Sequence, residues 1–447
     1  MGGEALVVRI EKMIWGGAGL GRLPNGMVVQ VPAALPGELV RISGLVARKR
    51  YATAMVDGVI EPSPDRVTPP CPYLPRCGGC DFQHMAFEVQ AKMKAAAFAD
   101  QLQRFLPGHS ALIEQADFAI PAEAPFHYRQ RIQLKAGQDG SVGFHAARSN
   151  ALVPITACLL ARPELNEALA WLHGQEGFRR AVTLSGGVDL QSGLDAGGVH
   201  VVFPSAPQGG RGLEAAVAAL DGAGPAGLFF WLETGQGRPR LLSPEVSGPE
   251  ARAPGIAYRL PDPAGGPDLA LSLPVGSFCQ VNQAQNIRLV GLVCRWLKGC
   301  GVRHLLDLHC GMGNFALPLA RIVDQVSGSD IAEGSIGAAQ ANARTNGIDN
   351  AAFHRRPAGA MAAKALRTGQ GIDAVLLDPP RQGAAEAVPA IVALRPRHVV
   401  CISCDAATLL RDLKALLAAG YQLRRLNLID LFPQTHHAEF AAHLMRD

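Results

Sequence analysis

The chain has 447 residues, a length that at about 150 residues per domain corresponds to three domains, and its 48% hydrophobic and 18% charged residues are those of a folded rather than a disordered or fibrous protein. Its 50 glycines and 32 prolines exceed the average share and exclude a coiled coil or a long helical array. A formal net charge of +4 permits a polyanionic partner without demanding one.

No apolar run reaches the roughly 18 residues of a spanning helix, and MGGEALVVRIEKM lacks the basic, apolar and cleavage regions of a signal peptide. The expectation is a cytoplasmic chain without a membrane partner, and nothing in it points to an obligate protein partner. In that compartment ten cysteines stay reduced, so close spacing among them reads as metal binding or nucleophilic chemistry rather than as disulfides.

Residues 1–62 carry short alternating runs, ALVVRI, GMVVQVP, ELVRISGL and YATAMVDGVI, broken by glycine and proline turns, and this spacing predicts a small β-barrel. Arg41, Arg48, Lys49 and Arg50 on its later runs either follow a nucleic-acid backbone or form a solvated turn. A linker, EPSPDRVTPP, opens a central α+β region over 63–270. It contains a cysteine cluster, a helix in AFEVQAKMKAAAFADQLQRFL, paired strands in HYRQRIQLKAG and SVGFHAARSNALVPITAC, and a helix in ARPELNEALAWLHG capped before its start. Residues 92–124 are placed to pack with the C-terminal domain. The stretch 180–265 reads as a plain antiparallel extension.

From 271 to 447 the pattern alternates between buried strand and helix, through HLLDLHC, QVSGSD, DAVLLDPP and RHVVCISC, which predicts an α/β domain with a doubly wound parallel sheet. Ligands in such sheets sit beyond the carboxyl ends of the strands, where HCGMGN, GSD, LDPP and ISCD fall.

Four groups of residues carry chemistry. Cys71, Cys77, Cys80 and Cys158 are four thiols suited to zinc or an iron–sulfur cluster, and the CGGC turn lets two thiolates face one centre; the alternative is a group of reduced core cysteines. In LLDLHCGMGNFALPLA, Gly311 and Gly313 permit a tight turn for a cofactor, with free N–H groups from the following helix, and Asp330 ends the next strand, where it can accept from ribose hydroxyls. Asp378 in LLDPPRQG ends a strand before two prolines that donate no hydrogen bond. Cys404 closes a strand before a helix, a position whose dipole is expected to lower a thiol pKa; Cys401 reads as core. Glu439 in FPQTHHAEF is a candidate general base, and the adjacent His436 and His437 lack further groups at ligand spacing.

Together CPYLPRCGGCDFQHM with Cys158, FCQVN at 278–282, LDLHCGMGNFALPLA, LLDPPRQG, ISCDAATLLRD and FPQTHHAEF resemble the RNA uracil-5 methyltransferase family, and in particular its larger ribosomal-RNA members. The resemblance spans nearly the whole chain and implies a TRAM barrel, a central domain with a [4Fe-4S] cluster on Cys71, Cys77, Cys80 and Cys158, and a class I S-adenosyl-L-methionine domain. It implies that Gln280, His309, Asn314, Asp330 and Asp378 surround the cofactor or target base, that Cys404 is the nucleophile, and that Glu439 is the base. The implied activity is 5-methyluridine formation in RNA, with 23S ribosomal RNA ahead of transfer RNA because the transfer-RNA members commonly lack barrel and cluster; an inactive RNA-binding homologue is the third reading. The chain departs from the family at His309, usually aromatic, at Asp330, often Glu, at Pro357, where a polar side chain is missing, and at Asp405-Ala406, usually Asn-Pro. A carboxylate at Asp405 is expected to raise the Cys404 pKa unless it points away.

Overall fold

Val8, Ile10, Val29, Val31, Val40, Ile42, Ala52 and Ala54 recur at alternate positions and share one buried interior. In the computed structural model, which describes residues 6–115, 117–193, 198–204, 210–220, 225, 227–233, 239–243 and 255–446, the strands that carry them close into a barrel. Its order is Leu6–Met13, Ala18–Arg22, Val28–Pro32, Ala52–Glu61 and Leu39–Ala47. Arg48, Lys49 and Arg50 are exposed on the turn between the last two strands in sequence, whereas Arg41 is paired with Asp57.

The central region holds a seven-stranded sheet, ordered Arg240–Ser243, Leu228–Leu232, Val199–Phe203, Gly187–Ser192, Arg131–Ala136, Val142–His145 and Leu152–Pro154. It is not the plain antiparallel extension expected. Val199–Phe203 and Leu228–Leu232 run parallel, and the helix Gly210–Ala218 lies between them in sequence. A further helix, Glu176–Ser185, buries Phe178, Ala181, Val182 and Ser185, a 3.6-residue period that the surrounding glycines and polar residues obscure, and it stops at Gly186 in the left-handed conformation at φ 75°. The helix Pro163–His173 is started by Pro163 at its first position; Arg162 before it makes no side-chain cap.

The C-terminal layer is an eight-stranded sheet in the order Ala351–Arg355, Gln325–Asp330, His304–Leu308, Ala374–Leu377, His398–Ser403, Glu439–Met445, Gln422–Ile429 and Ala119–Ile120. The first five are parallel as expected. Glu439–Met445 is antiparallel to both neighbours, a departure from the wholly parallel sheet. The connection 430–438 is too short for the dozen or more residues that a parallel crossover requires.

Two segments from outside 271–447 complete this layer. The helix Phe87–Phe105 places Phe98 and Leu102 in the core beside Leu306 and Leu308, with the Phe98 ring centroid 4.4 Å from that of Phe440 in a tilted contact, and Ala119–Ile120 forms the last strand. The hairpin Ile256–Leu260/Leu269–Leu273 is tied to the helix Glu333–Thr345 through Ser272 and Asn342. Among the described residues, no helix is long and apolar enough to cross a membrane.

Candidate active site

The strands His304–Leu308, Gln325–Asp330, Ala374–Leu377 and His398–Ser403 are neighbours running in one direction, so His309, Asp330, Asp378 and Cys404 stand along one edge. Glu439 begins the reversed strand beside them, where Phe440 pairs with Ser403, and so reaches the same edge from the opposite direction.

The glycine turn is built by backbone geometry. The N–H groups of His309 and Cys310 both donate to the Ser329 carbonyl, and His309 adopts the left-handed region at φ 78°. Gly313, at φ 94°, could not carry a Cβ without closing to 2.7 Å on Leu317. Asp330 accepts from Gly311 N–H at 3.1 Å and Ala332 N–H at 2.8 Å, which holds its carboxylate at the mouth of the turn. The helix that follows is short, Ala316–Ala320. Asn314 exchanges two amide hydrogen bonds with Asn286, and Gln280 is fixed through its carbonyl by Gln130 Nε2 at 2.8 Å.

Two buried polar groups at this turn are left without partners. Neither carboxylate oxygen of Asp307, which is 1% exposed, accepts a well-formed hydrogen bond, and His309 Nδ1 has none. Burial, with the charges of Asp378 and Asp330, pushes the Asp307 carboxyl well above its ordinary range. An open glycine turn with unsatisfied polar atoms and an acid at the next strand end fits a cofactor with hydroxyls and a positive charge.

At the other end of the edge, Asp405 is the N-cap of the helix Ala406–Ala418, its side chain accepting from Thr408 N–H at 2.8 Å. Its carboxylate is therefore engaged in capping and is not among the groups that perturb Cys404. The expected depression of the Cys404 pKa is not seen. The thiol is pushed up to about 11, first by burial and then by the charges of Glu439 and Asp378, while Arg381 opposes the rise. A helix terminus cannot offset desolvation together with two carboxylates. Cys401 is 4% exposed in the core, as read from sequence.

Glu439 is 3% exposed, and burial plus the charge of Asp378 raises its pKa well above the ordinary carboxylate range; burial raises Asp378 as well. Two such carboxyls beside a thiol place groups able to give or take a proton next to a sulfur atom.

Cys71, Cys77, Cys80 and Cys158 are free thiols from two segments, near enough for their charges to act on one another in pairs. Cys77 bridges to Ala146, Tyr73 Oη meets Thr156 Oγ1 at 2.8 Å, and Asn166 Oδ1 accepts from Cys158 N–H. Burial and one another's charges raise the thiols of Cys77, Cys80 and Cys158, Cys80 to about 12, while the positive charge of Arg129 opposes this at Cys80 and Cys158. Among the described residues, no group of three or more His, Cys, Asp or Glu side chains is arranged to hold a single metal ion.

Sequence reading passed over Asp307, hidden in an otherwise apolar strand, and Asn286, Arg381 and Asp81, whose partners lie far along the chain. No local signal marks the latter three.

The sheet order and the furnished carboxyl edge define an α/β methyltransferase fold with an N-terminal five-stranded barrel. A solved Pyrococcus abyssi tRNA (uracil-54, C5)-methyltransferase in complex with S-adenosyl-L-homocysteine shares this fold, with a TM-score of 0.70 at 23% identity over 98% of this chain and 99% of that one. Residues 265–447 match the family described as tRNA (Uracil-5-)-methyltransferase. A 23S rRNA (uracil(1939)-C(5))-methyltransferase RlmD of Shewanella sp. (strain MR-4) is 34% identical over 431 residues, covering 95% of this chain and 92% of its own. The protein of the same description from Pseudomonas putida is 34% identical over 440 residues, covering 97% and 92%. The chain belongs to the RNA uracil-5 methyltransferase family.

Proposed function

We propose that this protein methylates C5 of uridine in 23S ribosomal RNA with S-adenosyl-L-methionine. The observation that carries the reading is the meeting of Cys404 and Glu439 at one sheet edge, from strands of opposite direction. C5 of uracil is a poor nucleophile. Addition of the Cys404 thiolate to C6, after its proton has passed to solvent, makes C5 electron-rich; a bound sulfonium cofactor would supply the methyl group there. Glu439 then removes the C5 proton, the C5–C6 double bond re-forms and Cys404 leaves. The target uridine must be extruded from its stack to reach this edge. Gln280, His309, Asn314, Asp330 and Asp378 are the residues assigned to hold the cofactor and base, and Asp307 joins them as the buried acid beneath the turn.

Cys71, Cys77, Cys80 and Cys158 are assigned to a [4Fe-4S] cluster. The Arg129 charge beside Cys80 and Cys158 supports this, since a thiolate-bound cluster carries net negative charge. The exposed Arg48, Lys49 and Arg50 are assigned to RNA backbone contact.

The choice of ribosomal RNA rests on the full-length relatives at 34% identity. Architecture does not distinguish the substrates, because the Pyrococcus abyssi tRNA enzyme matches 98% of this chain. The test is methyl transfer from labelled cofactor to 23S rRNA and tRNA transcripts, with the product nucleoside mapped. Labelled 5-methyluridine in the ribosomal transcript is expected. Labelling of tRNA alone would assign the chain to the transfer-RNA reading, and labelling of neither would favour the inactive homologue.

A further inference from the structure

The loop 430–438 that carries Glu439 to the sheet edge is held mainly by side chains from a segment more than 300 residues earlier. Lys94, on the helix Phe87–Phe105, is 1% exposed. Its Nζ donates to Asp430 Oδ1 at 2.6 Å, Phe432 O at 3.1 Å and His437 O at 2.8 Å, which uses all three ammonium protons on three points of one loop. The ring of Phe82 covers the ammonium at 5.7 Å. Burial pulls the Lys94 pKa down and Asp430 pulls it back up.

The residues that follow Cys80 grip the same loop. Asp81 N–H and Phe82 N–H both donate to Gln434 O at 2.9 and 3.0 Å, and Asp81 Oδ2 lies 2.7 Å from His436 Nδ1. Gln90 donates to Gln434 Oε1 at 3.0 Å and accepts from Gln434 N–H at 2.9 Å, holding that residue at φ 69°. Asn282 on Leu431 O, Gln285 on Asp430 O and Tyr128 on Pro433 O hold the loop as well, but Lys94, Gln90 and Asp81 supply most of the side-chain hydrogen bonds between Phe432 and His437.

We infer that Lys94 is a positioning residue for Glu439, and that the segment from Asp81 to Lys94 sets the geometry of proton abstraction at C5 without entering the earlier addition of Cys404. This rests on the reading of Glu439 as the base. Cys404 lies at the end of the neighbouring strand and is reached by none of these hydrogen bonds; Glu439 acts on its thiol through charge alone, so a disturbed loop falls chiefly on proton abstraction and only weakly on the earlier addition.

The experiment uses the full-length protein with two RNAs. With 5-fluorouridine RNA, fluorine at C5 cannot leave as a proton, so the trapped adduct reports addition and methylation alone. With ordinary uridine RNA, an adduct persists on a denaturing gel only when the last step is slow. Lys94→Met is expected to form the 5-fluorouridine adduct within about twofold of wild type while release from ordinary RNA slows by up to roughly 100-fold, the scale of an ångström-sized misplacement, so that adduct accumulates. Lys94→Arg should restore part of the release rate. Should Lys94→Met fail to fold, Lys94→Met with Asp430→Asn removes the unpaired charge, and Asp81→Ala at the partly exposed end of the grip should show the same accumulation at smaller size. Trapping and release falling in parallel in these variants, or neither changing, overturns the inference. Absence of a 5-fluorouridine adduct in wild type would instead fault the reading of the reaction.

Discussion

The two ends of the active edge are built by different means. Around His309, Asp330 and Asp378, the geometry is local: glycines at φ 54° and 94°, a carbonyl at Ser329 taking two N–H groups, and prolines ending the strand before the next turn. Around Glu439, the geometry is imported from residues such as Lys94, Asp81, Gln90 and Tyr128, the last donating to Pro433 O at 3.0 Å. A glycine turn shaped by its own backbone tolerates change elsewhere in the chain. The carboxyl proposed as the base, held by distant side chains, is exposed to it, and on that proposal the last chemical step is the one most open to loss.

The largest effect should come from Glu439→Gln. Loss of a general base costs about 100- to 10,000-fold, and here turnover should fall on that scale while adduct formation with ordinary uridine RNA continues. A fall in adduct formation equal to the fall in turnover would place Glu439 before methyl transfer and erase the contrast between the two ends. Next, Asp330→Ala removes the carboxylate that holds Gly311 N–H and faces the turn. The Michaelis constant for S-adenosyl-L-methionine should rise roughly tenfold or more with a smaller change in kcat, as measured by varying cofactor at saturating RNA. An unchanged constant would remove Asp330 from the cofactor site.

Arg381→Gln sharpens the account of the nucleophile. Arg381 lowers a thiol pKa that burial, Glu439 and Asp378 have raised to about 11, so its removal moves the Cys404 pKa further up. The fraction of thiolate at pH 7 falls, and adduct formation should slow by about three- to tenfold, the size of a partly screened single charge, with the deficit shrinking as pH rises. A deficit that grows with pH would contradict this sign. The smallest effect belongs to Asp405→Ala. Loss of the N-cap should lower stability by about 1 kcal/mol, read from denaturant unfolding, with little change in adduct rate, since that carboxylate is turned to Thr408 N–H.

What was legible in the sequence was whatever local chemistry dictates. Alternation in VVQVP and ELVRIS announces the barrel, and the strand ends at Asp330, Asp378 and Cys404 follow from apolar runs that stop at polar residues and turns. The helix Glu176–Ser185 escaped because its buried face carries glycine and serine beside Phe178 and Val182. The direction of the Cys404 shift escaped because it is set first by burial and then by Glu439 arriving from an antiparallel strand, and the short loop 430–438 gives the reason for that reversal only once its neighbour is known. Lys94 in AKMKAAAF reads as one more exposed helix lysine; only the tertiary fold reveals three acceptors around it.

The most direct measurement of the central claim is covalent trapping on 5-fluorouridine-containing 23S rRNA with S-adenosyl-L-methionine, comparing wild type with Cys404→Ala on a denaturing gel. A stable adduct with wild type and none with Cys404→Ala is the predicted result. An adduct that survives Cys404→Ala, or no adduct with wild type on ribosomal or transfer RNA, would contradict the assignment of Cys404 as the nucleophile at this edge.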